Sequence, residues 1–468
     1  MKTRFPRQAG AVAVVAALLL ATGAGALLRG LAAVRAADGP PAGSRHVVLI
    51  SLDGFPGWAL DDPSLPVPAL RKLAASGAVA SAMRPVNPSV TWPNHTTLVT
   101  GVRPAAHRVL YNGLLRREPG VPPRIDPWVP SGELVHAPTL YDAAHARGMT
   151  TAQVDWVAIQ AAPTITWEFA ERPAPDGPIA QELVKAGVLS QAELEAFATR
   201  NIVWRDRIWT DAAAHILESR RPNLMLFHLL SLDSIQHRYG PRTLAATATM
   251  ALLDTQVARL VAAVERAGLM PRTTFVVVSD HGFKPVKRQI RLNAALARAG
   301  LVTVRDGKAA ASQAYAVPEG GSAIVFLTAP DPAGDLLART RQAIAGVEGV
   351  DAIVEPRDYA RFGLPQPAAS DQMGALFVTA REGYAFAAPA EGEAVVDAPE
   401  GSLGAHGYPA TDPGLGALFI AAGAEIRPGV RLGVIDNVDV APTIAALLGL
   451  ELANVDGKPL AEILTNGR

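Results

Sequence analysis

The sequence predicts an α/β fold: a largely parallel central sheet with helices on both faces, plus a small α+β insertion. Apolar runs of four to eight residues read as buried strands, and three stand out as HVVLISL, LMLFHLL and TFVVV. Segments of helical periodicity separate them. Strand and helix alternating at this spacing means parallel strands joined by helical crossovers. The same runs lead into Asp53, into Asp233 and His237, and into Asp280 and His281. Open α/β sheets keep their chemistry at the carboxyl ends of the strands.

Residues 1–37 read as a signal peptide or N-terminal anchor. Lys2, Arg4 and Arg7 precede an uncharged apolar stretch over 9–28, and Val34-Arg35-Ala36 offers a small-residue cleavage site. The stretch is about as long as a bilayer span requires, but its many Ala and Gly residues make it weakly hydrophobic, which favours cleavage. The first core segment, 38–301, opens on the linker DGPPAGS, and strand 46–52 then runs into Asp53-Gly54. A helix over 69–76 and a short strand over 78–83 follow. Proline in a first turn favours helix initiation, so PSVTWP (88–93) starts a helix with Thr91 at its mouth. Next come a helix at 139–147, a strand at 149–154 and helical periodicity over 191–220 that stops before Pro222. Strand 224–230, helix 251–267 and strand 274–279 continue the rhythm. Beyond His281 the texture changes. A strand at 322–327, a helix at 334–345 and strands at 351–354 and 374–379 make a small α+β insertion over 302–398. The second core segment, 399–468, delivers His406 in GSLGAHGY, then a strand at 418–422 and a helix at 438–450.

Composition narrows the function. A hydrophobic fraction of 49% is ample for a large core, and 43 basic residues balance 43 acidic ones. No basic surplus indicates a nucleic-acid surface or an anionic-membrane partner, so membrane attachment would rest on the N-terminal segment alone. There are no cysteines, hence no disulfides, no thiolate metal site and no cysteine nucleophile. The cysteine-derived residue of many sulfatases is likewise excluded.

Taken singly, an aspartate after a strand is ordinarily a turn or cap residue, and Thr91 could simply cap its helix. The combination is more telling. Asp233 and His237 are four apart, a spacing that brings both to one ion on a helical turn. Asp280 and His281 adjoin, and Gly282 lets the backbone turn away. With Asp53 and His406 these make six oxygen or imidazole ligands, enough for two divalent cations. A threonine hydroxyl is a weak nucleophile until a base or metal activates it. A helix N-terminus adds N–H donors and a dipole that favour a phosphoryl group.

In order, LDG, TWPNHTTLVTG, LDSIQHRYGP, SDHGF and AHGY resemble the motifs of the alkaline phosphatase superfamily. Within it, the chain is most similar to the nucleotide pyrophosphatase/phosphodiesterase family, across roughly 46–283 and 404–450. That resemblance implies an alkaline-phosphatase-like core and a bimetal site, usually zinc. One ion would be held by Asp53, Thr91, Asp280 and His281, the other by Asp233, His237 and His406. It implies further that Thr91 attacks phosphorus to give a phosphothreonine ester, and that Asn112 of HRVLYNG donates to a phosphoryl oxygen. From the sequence alone, Asn112-Gly113 reads equally well as a turn. Two ions about 4 Å apart clamp the attacking and leaving oxygens of an in-line displacement. Oxygen and imidazole ligation suits zinc without excluding manganese.

Four positions depart from the family pattern. Val90 stands where relatives often carry a basic residue, Trp92 replaces a commoner phenylalanine, and Arg108 and Gln236 stand where glycine is frequent. Trp92 either stacks on a nucleobase, with Trp156, Trp167 or Phe169 as a second wall, or packs the core. The expectation is an exported hydrolase of small phosphodiesters or pyrophosphates, with nucleotides as substrates. No arginine stands beside Thr91, and a phosphate dianion wants more cationic partners, so a diester is favoured over a monoester. Rival readings are a phosphonate (C–P) hydrolase or phosphomonoesterase on the same scaffold, or an inactive, metal-stabilised envelope binding protein.

Overall fold

The computed structural model describes residues 45–330 and 334–465, so the leader expected over 1–37 lies outside the described residues. Eight core strands are numbered here in chain order: β1 (His46–Leu52), β2 (Ala78–Arg84), β3 (Thr151–Val154), β4 (Trp167–Phe169), β5 (Leu224–Leu229), β6 (Thr273–Val278), β7 (Phe419–Gly423) and β8 (Val430–Asp436). They form one sheet in the order β8-β2-β7-β6-β1-β5-β3-β4. All neighbours pair in parallel except β7, which runs against both β2 and β6. The reversal has a topological cause. The chain leaves the core at the carboxyl end of β6 and re-enters at that same end after the insertion, so the next strand must run backwards.

Alternation across the sheet accounts for its two apolar layers, because successive strand residues face opposite sides. Val48, Ile50 and Leu52 of β1 join Met225, Phe227 and Leu229 of β5 on one face, while Val47 and Leu49 join Leu224 and Leu226 on the other. Seven helices concern the argument: α1 (Pro68–Ser76), α2 (Thr91–Thr100), α3 (Leu140–Ala146), α4 (Ile202–Ser219), α5 (Ser231–Tyr239), α6 (Leu244–Arg266) and α7 (Val440–Leu448). The first face is covered by α1, α4 and α6, the second by α2, α3 and α7. Each large aliphatic side chain buried this way contributes about 1.5–3 kcal/mol, which holds both layers to the sheet. Among the described residues no helix is long and apolar enough to cross a membrane.

Within the insertion, Ala314–Glu319, Ser322–Leu327, Leu376–Ala380 and Val350–Val354 make an antiparallel sheet in that order. Helix Leu336–Ala345 packs on it through Leu336 and Ile344. Its apolar cluster also takes in Val286 and Ile290 of strand Lys284–Ile290, and Leu292 and Leu296 of the helix that follows. Strand Lys284–Ile290 has a second task. It pairs with Gly404–Ala405 and so returns the late part of the chain to the end of β6, where His406 is needed.

Candidate active site

Every sequence-predicted ligand lies at the carboxyl edge of the sheet. Asp53 follows β1, Asp280 and His281 follow β6, and Asp233 and His237 sit one turn apart on α5, which starts just past β5. His406 follows the short strand Gly404–Ala405. Two glycines make the approach possible. Gly54 has φ +72°, and a Cβ there would meet the Phe283 ring at 2.9 Å; at Gly407, φ +83°, a Cβ would lie 1.7 Å from the Glu319 carbonyl oxygen.

Two ligand triplets result, Asp53–Asp280–His281 and Asp233–His281–His406, each offering atoms within 4.8 Å of one another. His237 joins the second through Asp233, its Nε2 lying 3.4 Å from Asp233 Oδ1, with His406 Nε2 at 3.6 Å from the same oxygen. His281 is shared: its Nε2 is 3.1 Å from Asp280 Oδ2 and 3.5 Å from Asp53 Oδ1, and its ring stacks on His406 at 3.8 Å.

Hydrogen bonding tests whether these residues suit cations. Buried polar atoms are nearly always paired, yet Asp53 Oδ1, Asp233 Oδ1, Asp280 Oδ2 and His281 Nε2 are buried without a protein hydrogen-bond partner. The second oxygens of Asp53 and Asp280 are engaged, whereas His281 Nδ1 is also buried without a partner. Asp280 Oδ1 accepts from the backbone N–H groups of Gly54 and His281, and Asp53 Oδ2 accepts from His228 Nε2 at 3.1 Å. His237 Nδ1 donates to the Gly404 carbonyl and His406 Nδ1 to that of Ser89, each at 3.0 Å. A ligating histidine typically has its second ring nitrogen fixed in this way. The lone pairs left over converge on two points, and the donor set fits divalent metal.

Electrostatics agree. Burial, then the charge of Asp233, pushes Asp53 up to about 7, and burial and Asp53 push Asp280 well above the carboxylate range. Asp233 is pulled down instead, because the His237 and His406 imidazoles outweigh its burial. Burial and neighbouring imidazoles hold His281 well below its ordinary value and His406 at about 4. Two carboxyls raised by burial and neighbouring charge, Asp53 and Asp280, beside the neutral imidazoles of His281 and His406 are what a bound cation relieves.

Thr91 opens α2, but Val90, not Thr91, is the N-cap residue. The Thr91 carbonyl accepts from His95 Nδ1, which lies 3.7 Å from Asp280 Oδ2 and so ties this turn to the first triplet. A cleft of about 290 Å³ brings Thr91, Trp92 and Asn112 together with Asp233, His237 and His406, whereas Asp53, Asp280 and His281 are fully buried. Asn112 Oδ1 accepts from the Trp92 backbone N–H at 3.0 Å. Since a carbonyl must face that donor, the amide NH₂ remains available as a donor. Trp92 is only 5% exposed and packs with Val109, Leu114 and Val157. Of the aromatics considered for a second wall, Trp156 and Phe169 are core residues and Trp167 lines a separate hollow. The cleft aromatic is Trp128 instead, 39% exposed. A larger cleft of about 1030 Å³, bounded by Arg116, Arg117, Leu327 and Ser370, contains none of the ligands.

Sequence reasoning also missed Asp155, Glu171 and His228, which line the Thr91 cleft. Asp155 ends β3 as Asp53 ends β1, so the strand-end signal was present; His228 sits inside an apolar run and gave none.

The type I phosphodiesterase/nucleotide pyrophosphatase family model matches residues 47–409. The chain belongs to this family. Mouse ectonucleotide pyrophosphatase/phosphodiesterase family member 1 is 25% identical over 287 residues, covering 59% of this chain and 28% of the mouse protein. Venom phosphodiesterase of Macrovipera lebetinus is 23% identical over 242 residues, covering 51% of this chain and 26% of its own. Thus the chain matches under a third of the length of these two relatives. Murine ectonucleotide pyrophosphatase/phosphodiesterase 5 superposes with a TM-score of 0.67 at 16% identity, over 88% of this chain and 98% of the other. An inactive variant of that protein in complex with AMP gives 0.68 at 16% identity, over 90% and 100%. The fold is therefore the alkaline-phosphatase-like fold expected from the motifs. Against the nucleotide pyrophosphatase/phosphodiesterase pattern, two departures find a place. Arg108 adopts φ +64°, a conformation glycine takes without strain. Gln236 donates through Nε2 to the Gly54 carbonyl at 2.8 Å, buttressing the turn that carries Asp53.

Proposed function

We propose that this protein is an exported, metal-dependent hydrolase of phosphodiester or pyrophosphate bonds, acting on nucleotides through a phosphothreonine intermediate. The observation that carries this reading is the set of four buried, unpartnered ligand atoms beside the cleft onto which Thr91 opens. Asp53, Asp280 and His281, with Thr91, would hold one cation; Asp233, His237 and His406 would hold the other. Two divalent ions, zinc by preference, supply charge stabilisation for the entering and leaving oxygens. Thr91 forms the bond to phosphorus as the bond to the leaving alkoxide breaks, and water then displaces the threonine. The Asn112 amide donates to a non-bridging oxygen throughout. Two in-line displacements give net retention at phosphorus. Export is supported by the basic and then apolar character of residues 1–28.

No lysine or arginine lines the cleft among the described residues, which supports a diester over a monoester dianion. The name of the mouse relative and AMP on the murine variant support nucleotides, and the name of the viper relative supports a phosphodiester. Zinc-loaded protein should turn over bis-p-nitrophenyl phosphate and a nucleotide p-nitrophenyl ester well ahead of p-nitrophenyl phosphate and phosphonoacetate. Preference for either of the last two substrates would replace this reading with a monoesterase or phosphonate hydrolase.

Burial separates the two cleft tryptophans. Trp92→Ala should destabilise the fold by about 3–5 kcal/mol, the usual cost of deleting a buried aromatic. Trp128→Ala should leave the melting temperature unchanged and raise KM for the nucleotide ester. Thermal melts and steady-state kinetics on both proteins check this, and a reversed pattern would refute the assignment.

A further inference from the structure

Asp155, His228 and Asp53 form a row across three neighbouring strands, β3, β5 and β1. Val154 lies beside Phe227 and Ser51 beside His228 in register, so the parallel ladder itself sets the row. All three side chains are buried. His228 Nδ1 is 3.0 Å from the Asp155 carbonyl oxygen and 3.2 Å from its carboxylate Oδ2. Both are acceptors, so Nδ1 carries a proton and the ring is oriented by Asp155. The opposite nitrogen, Nε2, reaches Asp53 Oδ2 at 3.1 Å. The His95 ring meets that of His228 edge-on at 4.5 Å, which limits rotation of the imidazole.

We infer that His228, oriented by Asp155, is a positioning residue that reserves one Asp53 oxygen for a cation, an inference that rests on the metal-site reading above. The two carboxylates of the first triplet meet the same requirement by different means. Backbone N–H groups anchor Asp280 through Oδ1 and leave Oδ2 free. Asp53 is anchored through Oδ2 by a side chain and keeps Oδ1 free. Without the imidazole, Asp53 could rotate or turn both oxygens toward the ion, and the ligand geometry would loosen. Outer partners of this kind are typically worth 10–100-fold in metal affinity.

The test is zinc titration of the metal-free full chain against a chromophoric chelator. His228→Leu should weaken one of two zinc equivalents by about 10–100-fold and leave the other within about threefold. The weakened equivalent should be the one lost in Asp280→Asn. His228→Gln, whose amide N–H can reach the same oxygen, should recover most of the affinity. Asp155→Ala should reproduce the loss in part, and it decides the matter with His228→Gln should His228→Leu not fold. The inference is overturned if these variants leave both equivalents intact, weaken both alike, or change only kcat/KM. The last outcome would make His228 a substrate contact. A parent protein that binds no zinc would instead fail the metal-site reading as a whole.

Discussion

Thr91→Ala should lose turnover by at least about a thousandfold, as removal of a nucleophile does elsewhere, while keeping its fold and its zinc. The two halves of this expectation rest on different atoms. The structural duty of Thr91 is carried by its backbone: the carbonyl accepts from His95, and the helix is capped by Val90. The hydroxyl has no protein hydrogen-bond partner among the described residues, so deleting it leaves no donor or acceptor stranded. Three aspartates and three histidines remain to hold the cations. Thr91→Ser keeps an attacking oxygen and should keep measurable activity. Kinetics on a diester, with zinc content from elemental analysis and a thermal melt, checks all three points. An alanine variant retaining a tenth of parental turnover would remove Thr91 from the nucleophile's role. A parent with no turnover on any diester, monoester or phosphonate would favour the inactive binding-protein reading.

How far the sequence foretold this arrangement depends on how local each signal was. Strands β1, β5 and β6 were legible because both faces are buried, so their residues read as unbroken apolar runs whose ends could be located. The edge strands β4 and β8 were not, since Trp167–Phe169 is three residues long and Val430–Asp436 is interrupted by Gly433. Helical periodicity over 191–220 ran through a real break: Asn201 caps α4 by accepting from the Val203 N–H, and only Gln191–Glu195 is α-helical before it. Reversal of β7 was invisible, because direction is fixed by where the insertion returns the chain and not by anything in its own residues. Ligand side chains were legible because each stands at a strand end or in a short motif. His228 was not. A histidine in the middle of an apolar strand looks like a core residue until the neighbouring strands are known to end in Asp53 and Asp155.

Stripping the cations should abolish turnover and change how stability depends on pH. In the metal-free protein, burial and Asp233 raise Asp53 from 3.8 to about 7. A carboxyl with a raised pKa in the folded state contributes stability that is complete below its unfolded pKa and is lost as pH climbs through the folded one. Asp280, also raised, acts in the same direction. His281 and His406, held low, oppose this below their unfolded value of 6.5, so the loss of metal-free stability from Asp53 and Asp280 should show above about pH 6.5. Zinc adds stability that grows with pH. Ligand carboxylates must be deprotonated to bind it, so affinity grows with pH. A ligand present at a thousand times its Kd adds about 4 kcal/mol per site. The gap between zinc-loaded and chelator-treated melting temperatures should consequently widen from pH 5 to pH 8, and readding zinc should restore both the melt and the turnover. Calorimetric scans at three pH values with and without chelator measure this. A gap that stayed constant or narrowed would mean that the gathered carboxylates are not what binds the metal, and the hydroxyl at Thr91 would then have nothing beside it to make it a nucleophile.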